Sequence, residues 1–264
     1  MGGGAVFILG GGAGGGGGPP TLVLCSGLGG AGGYWSPHLG ALKAMGFDLL
    51  IYDQRGTGAN TEALGPTTIA DMADDVLAVC DAAGVDRFDL LGHALGGLVG
   101  FDLACRPDSR LDRLVAINAW ARIDHHTARC FDIRIAALDG QGLPAFAALQ
   151  QNFLYPPFWI SANPDRIAAD EAHAVEHFAG RRNLIARIDA LRGFALPDWP
   201  QDGPRVLLLA ATDDALVDVA QSHRLAALIP GAQLIEYPQG GHALNITVQD
   251  RFEHDLKGFL TDDR

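Results

Sequence analysis

The chain has little to offer a nucleic acid or an anionic membrane surface. Its 19 lysines and arginines are outnumbered by 31 aspartates and glutamates, a net charge of −12, and both partners require a basic footprint. No apolar run reaches the length of a membrane span. The four cysteines, Cys25, Cys80, Cys105 and Cys130, form no CxxC pair and have no zinc-type spacing. That pattern reads as reduced thiols in a cytoplasmic protein. His93, His125, His126 and His242 show no ligand-type spacing that would carry a metal, so no metal and no cofactor is expected. The first residues lack the basic start and clear cleavage site of a secretory signal. Their glycines are not followed by Gly-Lys-Ser/Thr, which excludes a phosphate loop. No internal repeat is visible.

What is present is short apolar runs punctuated by glycine. At 264 residues and 48% hydrophobic content, the chain suits one large α/β domain with an inserted subdomain. Runs suited to buried strands fall at Thr21–Cys25, Asp48–Tyr52, Arg87–Leu91, Arg113–Asn118, Arg205–Ala211 and Gln233–Tyr237. Helices are predicted between them: about Tyr34–Met45, Thr67 or Thr68 to Ala83, Leu98–Cys105, Asp218–Leu228 and Val248–Leu260. Asp71 stands in the first turn of the second and Gly84 at its end. This alternation predicts a mostly parallel, doubly wound sheet over residues 21–120 and 197–264. It breaks after Asn118. Residues 121–196 read as several helices, interrupted at Phe153–Trp159, and are expected to form a cap over the sheet edge. Residues 1–20 stand apart as a Gly-rich segment, with one edge strand at Ala5–Leu9 and a flexible linker.

Gly92-His93-Ala94-Leu95-Gly96 falls between a predicted strand and a predicted helix. Gly-x-Ser-x-Gly in that context is a nucleophile elbow, a tight turn that lifts one side chain above the sheet edge. Here Ala94 holds the nucleophile position, and a methyl group attacks nothing. Asp214, in Thr212-Asp213-Asp214, and His242, after Gly240-Gly241, follow the later strands in the order acid then histidine. Asp214 is expected to orient the His242 imidazole, the kind of side chain suited to a general base; Asp213 is the weaker candidate for that orienting role and the alternative is that it caps a turn. Backbone N–H groups of Leu28 and Leu95 are the expected oxyanion donors. Cys25 and Ser26 lie on the wrong element for a substitute nucleophile, and His93 is expected to point into supporting structure. The simplest chemistry is water activated directly by His242, with no covalent intermediate.

Together these stretches resemble one family. Ser26-Gly27-Leu28-Gly29-Gly30 with Tyr34-Trp35, and Tyr52-Asp53-Gln54-Arg55-Gly56-Thr57-Gly58, resemble the α/β hydrolases. The elbow, Asn118-Ala119-Trp120 with His126-Thr127, Phe153-Leu154-Tyr155-Pro156 and Gly240-Gly241-His242-Ala243 resemble the RutD group of pyrimidine degradation, over nearly the whole chain from Thr21. In that group an elbow alanine is a normal feature. The resemblance implies a hydrolase of 3-aminoacrylate, giving malonic semialdehyde and ammonia, or of carbamate, giving ammonia and carbon dioxide. The pocket residues implied are Ser26, His93, Trp120, Arg122 and Tyr155, with Arg55 or Arg122 as a carboxylate anchor and Trp159 beside them. The alternatives are a degenerate hydrolase that only binds a small ligand or a pathway partner, and a lyase or cofactor-free oxygenase on the same dyad. A homodimer is left open.

Overall fold

In the computed structural model, which describes residues 6–9 and 19–262, the apolar runs become strands of one seven-stranded sheet. They are β1 (Val6–Leu9), β2 (Thr21–Cys25), β3 (Asp48–Tyr52), β4 (Phe88–His93), β5 (Leu111–Ile117), β6 (Arg205–Ala211) and β7 (Gln233–Tyr237). Their spatial order is β1-β3-β2-β4-β5-β6-β7. β2 to β7 run parallel, and β1 lies antiparallel on β3 at one edge. The expected linker over 10–18 lies outside the described residues.

The helices are α1 (Leu39–Ala44), α2 (Ile69–Ala82), α3 (Leu95–Ala104), α4 (His125–Gln141), α5 (Leu143–Leu154), α6 (Pro157–Ala162), α7 (Pro164–Glu176), α8 (Arg181–Gly193), α9 (Ala220–Leu228), α10 (Leu244–Thr247) and α11 (Gln249–Thr261). At the start of α2, the Thr68 side chain accepts from the Asp71 N–H and the Asp71 carboxylate accepts from the Thr68 N–H, which satisfies two donors that a helix start leaves free. Gly84 follows its end at φ 68°. The helix expected over Tyr34–Met45 is divided: Gly32–His38 is a 3-10 turn and only Leu39–Ala44 is α-helical. Pro37 lies inside the turn and has no N–H to donate. The helix after the elbow begins at Leu95, not Leu98.

Alternation along the strands splits the core between two faces. Val23, Leu50, Leu90 and Leu114 pack with Met72, Val76, Leu98 and Phe101. Leu22, Leu24, Leu49, Leu91 and Val115 pack on the other face with Trp35, Leu42, Phe252 and Leu256. β4, at the centre, is buried along its whole length, as a parallel strand covered on both faces must be.

Five helices, α4 to α8, fall between β5 and β6. Gly142 (φ 89°), Pro164 and Gly180 (φ 92°) mark breaks between them. At the aromatic break, Tyr155 is extended (φ −117°, ψ 142°), the conformation forced on a residue before proline. The segment is stitched to loops that leave the carboxyl ends of the strands. Thr127 Oγ1 donates to the Leu216 carbonyl, the Ala243 N–H donates to Leu154, and Asn183 Nδ2 donates to the Thr61 and Glu62 carbonyls. In open parallel sheets, ligand sites form at that edge.

Candidate active site

The elbow is built by close backbone approach. A Cβ on Gly96 would stand 2.0 Å from the Cys25 carbonyl oxygen, and one on Gly92 would stand 2.4 Å from the Gly96 carbonyl. No side chain fits at either place. Between them Ala94 is held at φ 47°, ψ −105°, a conformation that costs a non-glycine residue about 1–3 kcal/mol. Its N–H donates to the Ile117 carbonyl at 2.8 Å. Among the described residues, only Asn118, at the end of β5, shares a positive φ without being glycine.

His242 Nδ1 stands 2.8 Å from Asp214 Oδ2, with both side chains almost wholly buried. A carboxylate only accepts, so Nδ1 carries the proton and Nε2 is left as a base. The other oxygen, Oδ1, accepts from the Leu216 and Val217 N–H groups at 2.7 and 2.9 Å. Asp213 turns elsewhere: its Oδ1 accepts from the Gly241 N–H at 2.8 Å, tying the acid loop to the histidine loop.

The histidine loop is clamped from two strands. The His242 carbonyl accepts from Asn118 Nδ2 at 2.7 Å and pairs with His93 Nε2 at 2.8 Å. Because that partner is a carbonyl, His93 donates through Nε2. Burial, and then the neighbouring His242, push His93 down to about 3, so it stays neutral. Its ring packs against His242 and Tyr34. Tyr34 donates to Asn245 Oδ1, Asn245 Nδ2 lies 3.3 Å from His38 Nε2, and His38 Nδ1 reaches Glu253 at 2.9 Å. His93 thus points into supporting structure.

Leu95 is the first residue of α3, so its N–H has no carbonyl one turn back inside the helix. Leu28 packs against the apolar cluster that holds Ala94 and Leu95. The remaining pocket candidates are spread out. Ser26 Oγ donates to the Ala31 carbonyl within its own loop. Trp120 is buried. Tyr155 stacks on Trp159 and donates to Asp170. Arg55 is held by both oxygens of Asp75. Arg122 lies on a groove of about 360 Å³ lined by Ala121, Gln221, Arg224, Ala227 and Leu228, with no dyad residue in its wall. Burial pushes the Cys25 thiol up to about 11, which leaves it inert as a nucleophile. His126 Nε2 donates to the Ala215 carbonyl on the acid loop. His173 on α7 and His177 at its C-cap, a His-x-x-x-His pair, stack on each other, yet no group of three or more His, Cys, Asp or Glu among the described residues could hold a metal.

Two residues in this region escape sequence reasoning. Asn118 joins the ends of β5 and β6 to the histidine loop, since its Oδ1 also accepts from the Ala211 N–H. The Asn118-Ala119-Trp120 motif marked the residue without its role; for the role, a polar residue that tolerates positive φ at a strand end was the signal. Arg187, on α8, donates to the carbonyls of Gly27, Leu28 and Arg55 and to the side chain of Gln54. Nothing in the sequence distinguishes it from other helix arginines.

A family model described as the alpha/beta hydrolase fold matches residues 20–247. A protein named "Putative carbamate hydrolase RutD" from Agrobacterium fabrum is 46% identical over 243 residues, covering 91% of this chain and 92% of its own. The chain belongs to the RutD group of α/β hydrolases. The same name is carried by a relative from Rhizobium rhizogenes, 44% identical over 242 residues and covering 91% and 92%. Among solved structures, the enol-lactonase from Burkholderia xenovorans superposes with a TM-score of 0.86 at 27% identity, covering 98% and 96%. A hydrolase from Pseudomonas aeruginosa gives 0.81 at 29%, covering 92% and 90%.

Proposed function

We propose that this RutD-group protein hydrolyses a C–N bond in a small substrate, 3-aminoacrylate or carbamate, during pyrimidine breakdown in the cytoplasm. A buried His242–Asp214 pair beside an elbow that bears alanine is the observation that carries the reading. A protein that only binds has no use for an oriented imidazole; a serine esterase cannot work without the hydroxyl. The names of the relatives support the carbamate form of the reaction.

For the enamine, a proton from solvent added at carbon gives an iminium that is already electrophilic. Water adds to the imine carbon as His242 Nε2 takes its proton, and the resulting imidazolium is stabilised by Asp214. The same proton then goes to the leaving nitrogen; as ammonia departs, His242 Nε2 takes the hydroxyl proton, the carbonyl of malonic semialdehyde forms, and that proton returns to solvent in place of the one spent at carbon. No acyl-enzyme is needed. Negative charge on the substrate is met by the Leu28 and Leu95 N–H groups. Helices α4 to α8 act as a cap that keeps bulk water from this edge.

Ammonia release from freshly generated 3-aminoacrylate, with wild type and His242→Ala compared against the spontaneous rate, tests the reading. Acceleration that vanishes in the variant supports it. Equal rates with and without protein, on aminoacrylate and then on carbamate, refute it in favour of a binding role.

A further inference from the structure

Arg187 is 1% exposed and, among the described residues, has no carboxylate within salt-bridge distance. Its partners are neutral oxygens: Gln54 Oε1 at 2.7 Å, Arg55 O at 2.9 Å, Leu28 O at 3.1 Å and Gly27 O at 3.3 Å. Burying a cation without an anion is costly, and a packing role would be met more cheaply by an apolar side chain. Burial pushes the guanidinium down to about 10, so it keeps its charge at neutral pH.

The position of that charge matters. In a trans peptide the C=O and the next N–H point in opposite directions. The Gly27 carbonyl and the Leu28 N–H belong to one peptide unit, and the Leu28 carbonyl belongs to the next. With both carbonyls turned toward the guanidinium, the Leu28 and Gly29 N–H groups are turned away from it. The loop is seated on the elbow at this point: a Cβ on Gly27 would lie 2.8 Å from His93 Nδ1. A Cβ on Gly30 would meet Arg187 Nη2 at 2.8 Å, so the glycine leaves the guanidinium its berth. Gln54 completes the frame, accepting from Arg187 and donating to the Ser26 carbonyl at 2.6 Å.

We infer that Arg187 is the positioning residue for the Leu28 donor, fixing and polarising the Gly27–Leu28 peptide from behind. Resting on the hydrolase reading above, the inference deepens it: the donor is assembled only when α8 is docked on the loop. The cation strengthens the donor because its direct partners are neutral oxygens, and the Asp75 carboxylate acts on it only at a distance.

The test compares wild type, Arg187→Gln and Arg187→Lys in kcat and KM for ammonia release, thermal unfolding, and the Leu28 amide in ¹H–¹⁵N spectra. Loss of a whole oxyanion donor costs about 10²–10³ in kcat. Arg187→Gln, which loosens one donor, is expected to lower kcat about 10- to 100-fold with KM changed less than about threefold. Its Leu28 amide shifts and exchanges faster while Leu95 is unmoved, and Arg187→Lys recovers part of the rate. A merely structural arginine would lower the unfolding temperature and leave kcat per folded molecule and the Leu28 amide as in wild type, which overturns the inference. Where Arg187→Gln does not fold, Arg187→Lys decides by the same amide, since lysine keeps the charge and loses the fork; an unmoved resonance overturns it. If wild type itself gives no turnover, the hydrolase reading fails, and the Leu28 amide alone judges the positioning.

Discussion

Asp214→Asn separates the orientation of His242 from its presence. The carboxylate serves three donors: the Leu216 and Val217 N–H groups on Oδ1 and His242 Nδ1–H on Oδ2. Asparagine has one acceptor oxygen. Keeping it on the two backbone donors retains two hydrogen bonds and turns the amide NH₂ toward His242 Nδ1. The imidazole must then present a bare Nδ1 and carry its proton on Nε2, where it can no longer take one from water. General-base assistance is worth about 10²–10⁴, and the same exchange in a serine-protease triad costs about 10⁴ through the wrong tautomer. Asp214→Asn is therefore expected to lose at least about 10²-fold in kcat for ammonia release. Because the backbone bonds persist, its unfolding free energy from urea titration should fall by no more than the loss of one charge-assisted hydrogen bond, about 1.5–3 kcal/mol. His242→Ala should be as inactive, and the double variant no worse than either, since the two act as a unit. A folded Asp214→Asn protein turning over within about tenfold of wild type would refute the argument, as it would mean that the tautomer at His242 does not govern the reaction.

Ala94→Ser should not raise native turnover, because the hydroxyl fills the space proposed for water; wild type should resist serine-directed phosphonates, and stoichiometric labelling with loss of activity, or a large gain from the substitution, would disprove the water mechanism. His93 stays neutral in the fold down to about pH 3 and takes a proton near 6.5 when unfolded, so the unfolded chain holds more protons between those values. Its contribution is thus fully present above about pH 6.5 and is lost as the pH falls toward 3, by about 1.4 kcal/mol per pH unit. His93→Gln keeps an N–H for the His242 carbonyl and cannot titrate, so its urea midpoints should fall less steeply between pH 6.5 and 4; the slope persists in part because burial also lowers His38, and parallel slopes in the two proteins would count against the assignment.

The strands were legible because most are short apolar runs that give way to polar, proline- or glycine-bearing loops, and β2, β3, β6 and β7 fall where those runs begin and end. Helix starts were harder to place. Leu95 begins α3 in spite of two following glycines, since Gly96 answers to the Cys25 carbonyl and not to helix propensity. The acid and the histidine were legible by their order along the chain, but two adjacent aspartates look alike in sequence; only the loop shows Asp214 facing His242 and Asp213 facing the Gly241 N–H. Arg187 and Asn118 were hidden for a different reason. Most of their partners are backbone carbonyls far along the chain, and every residue has a carbonyl.

Asn118 also sets an order of assembly. Its amide reaches the Gly241 and His242 carbonyls, 123 and 124 positions further on, and β5 pairs with β6 only after five helices have been made between them. Contacts this distant in the chain must await closure of long loops, whereas α2, α3 and β4 draw on near neighbours. During synthesis the elbow is complete while the imidazole has yet to be added, so a chain stopped before residue 242 carries the architecture of the site without its base. The chemistry arrives only after the seven strands and the five helices that must shelter it have already been made.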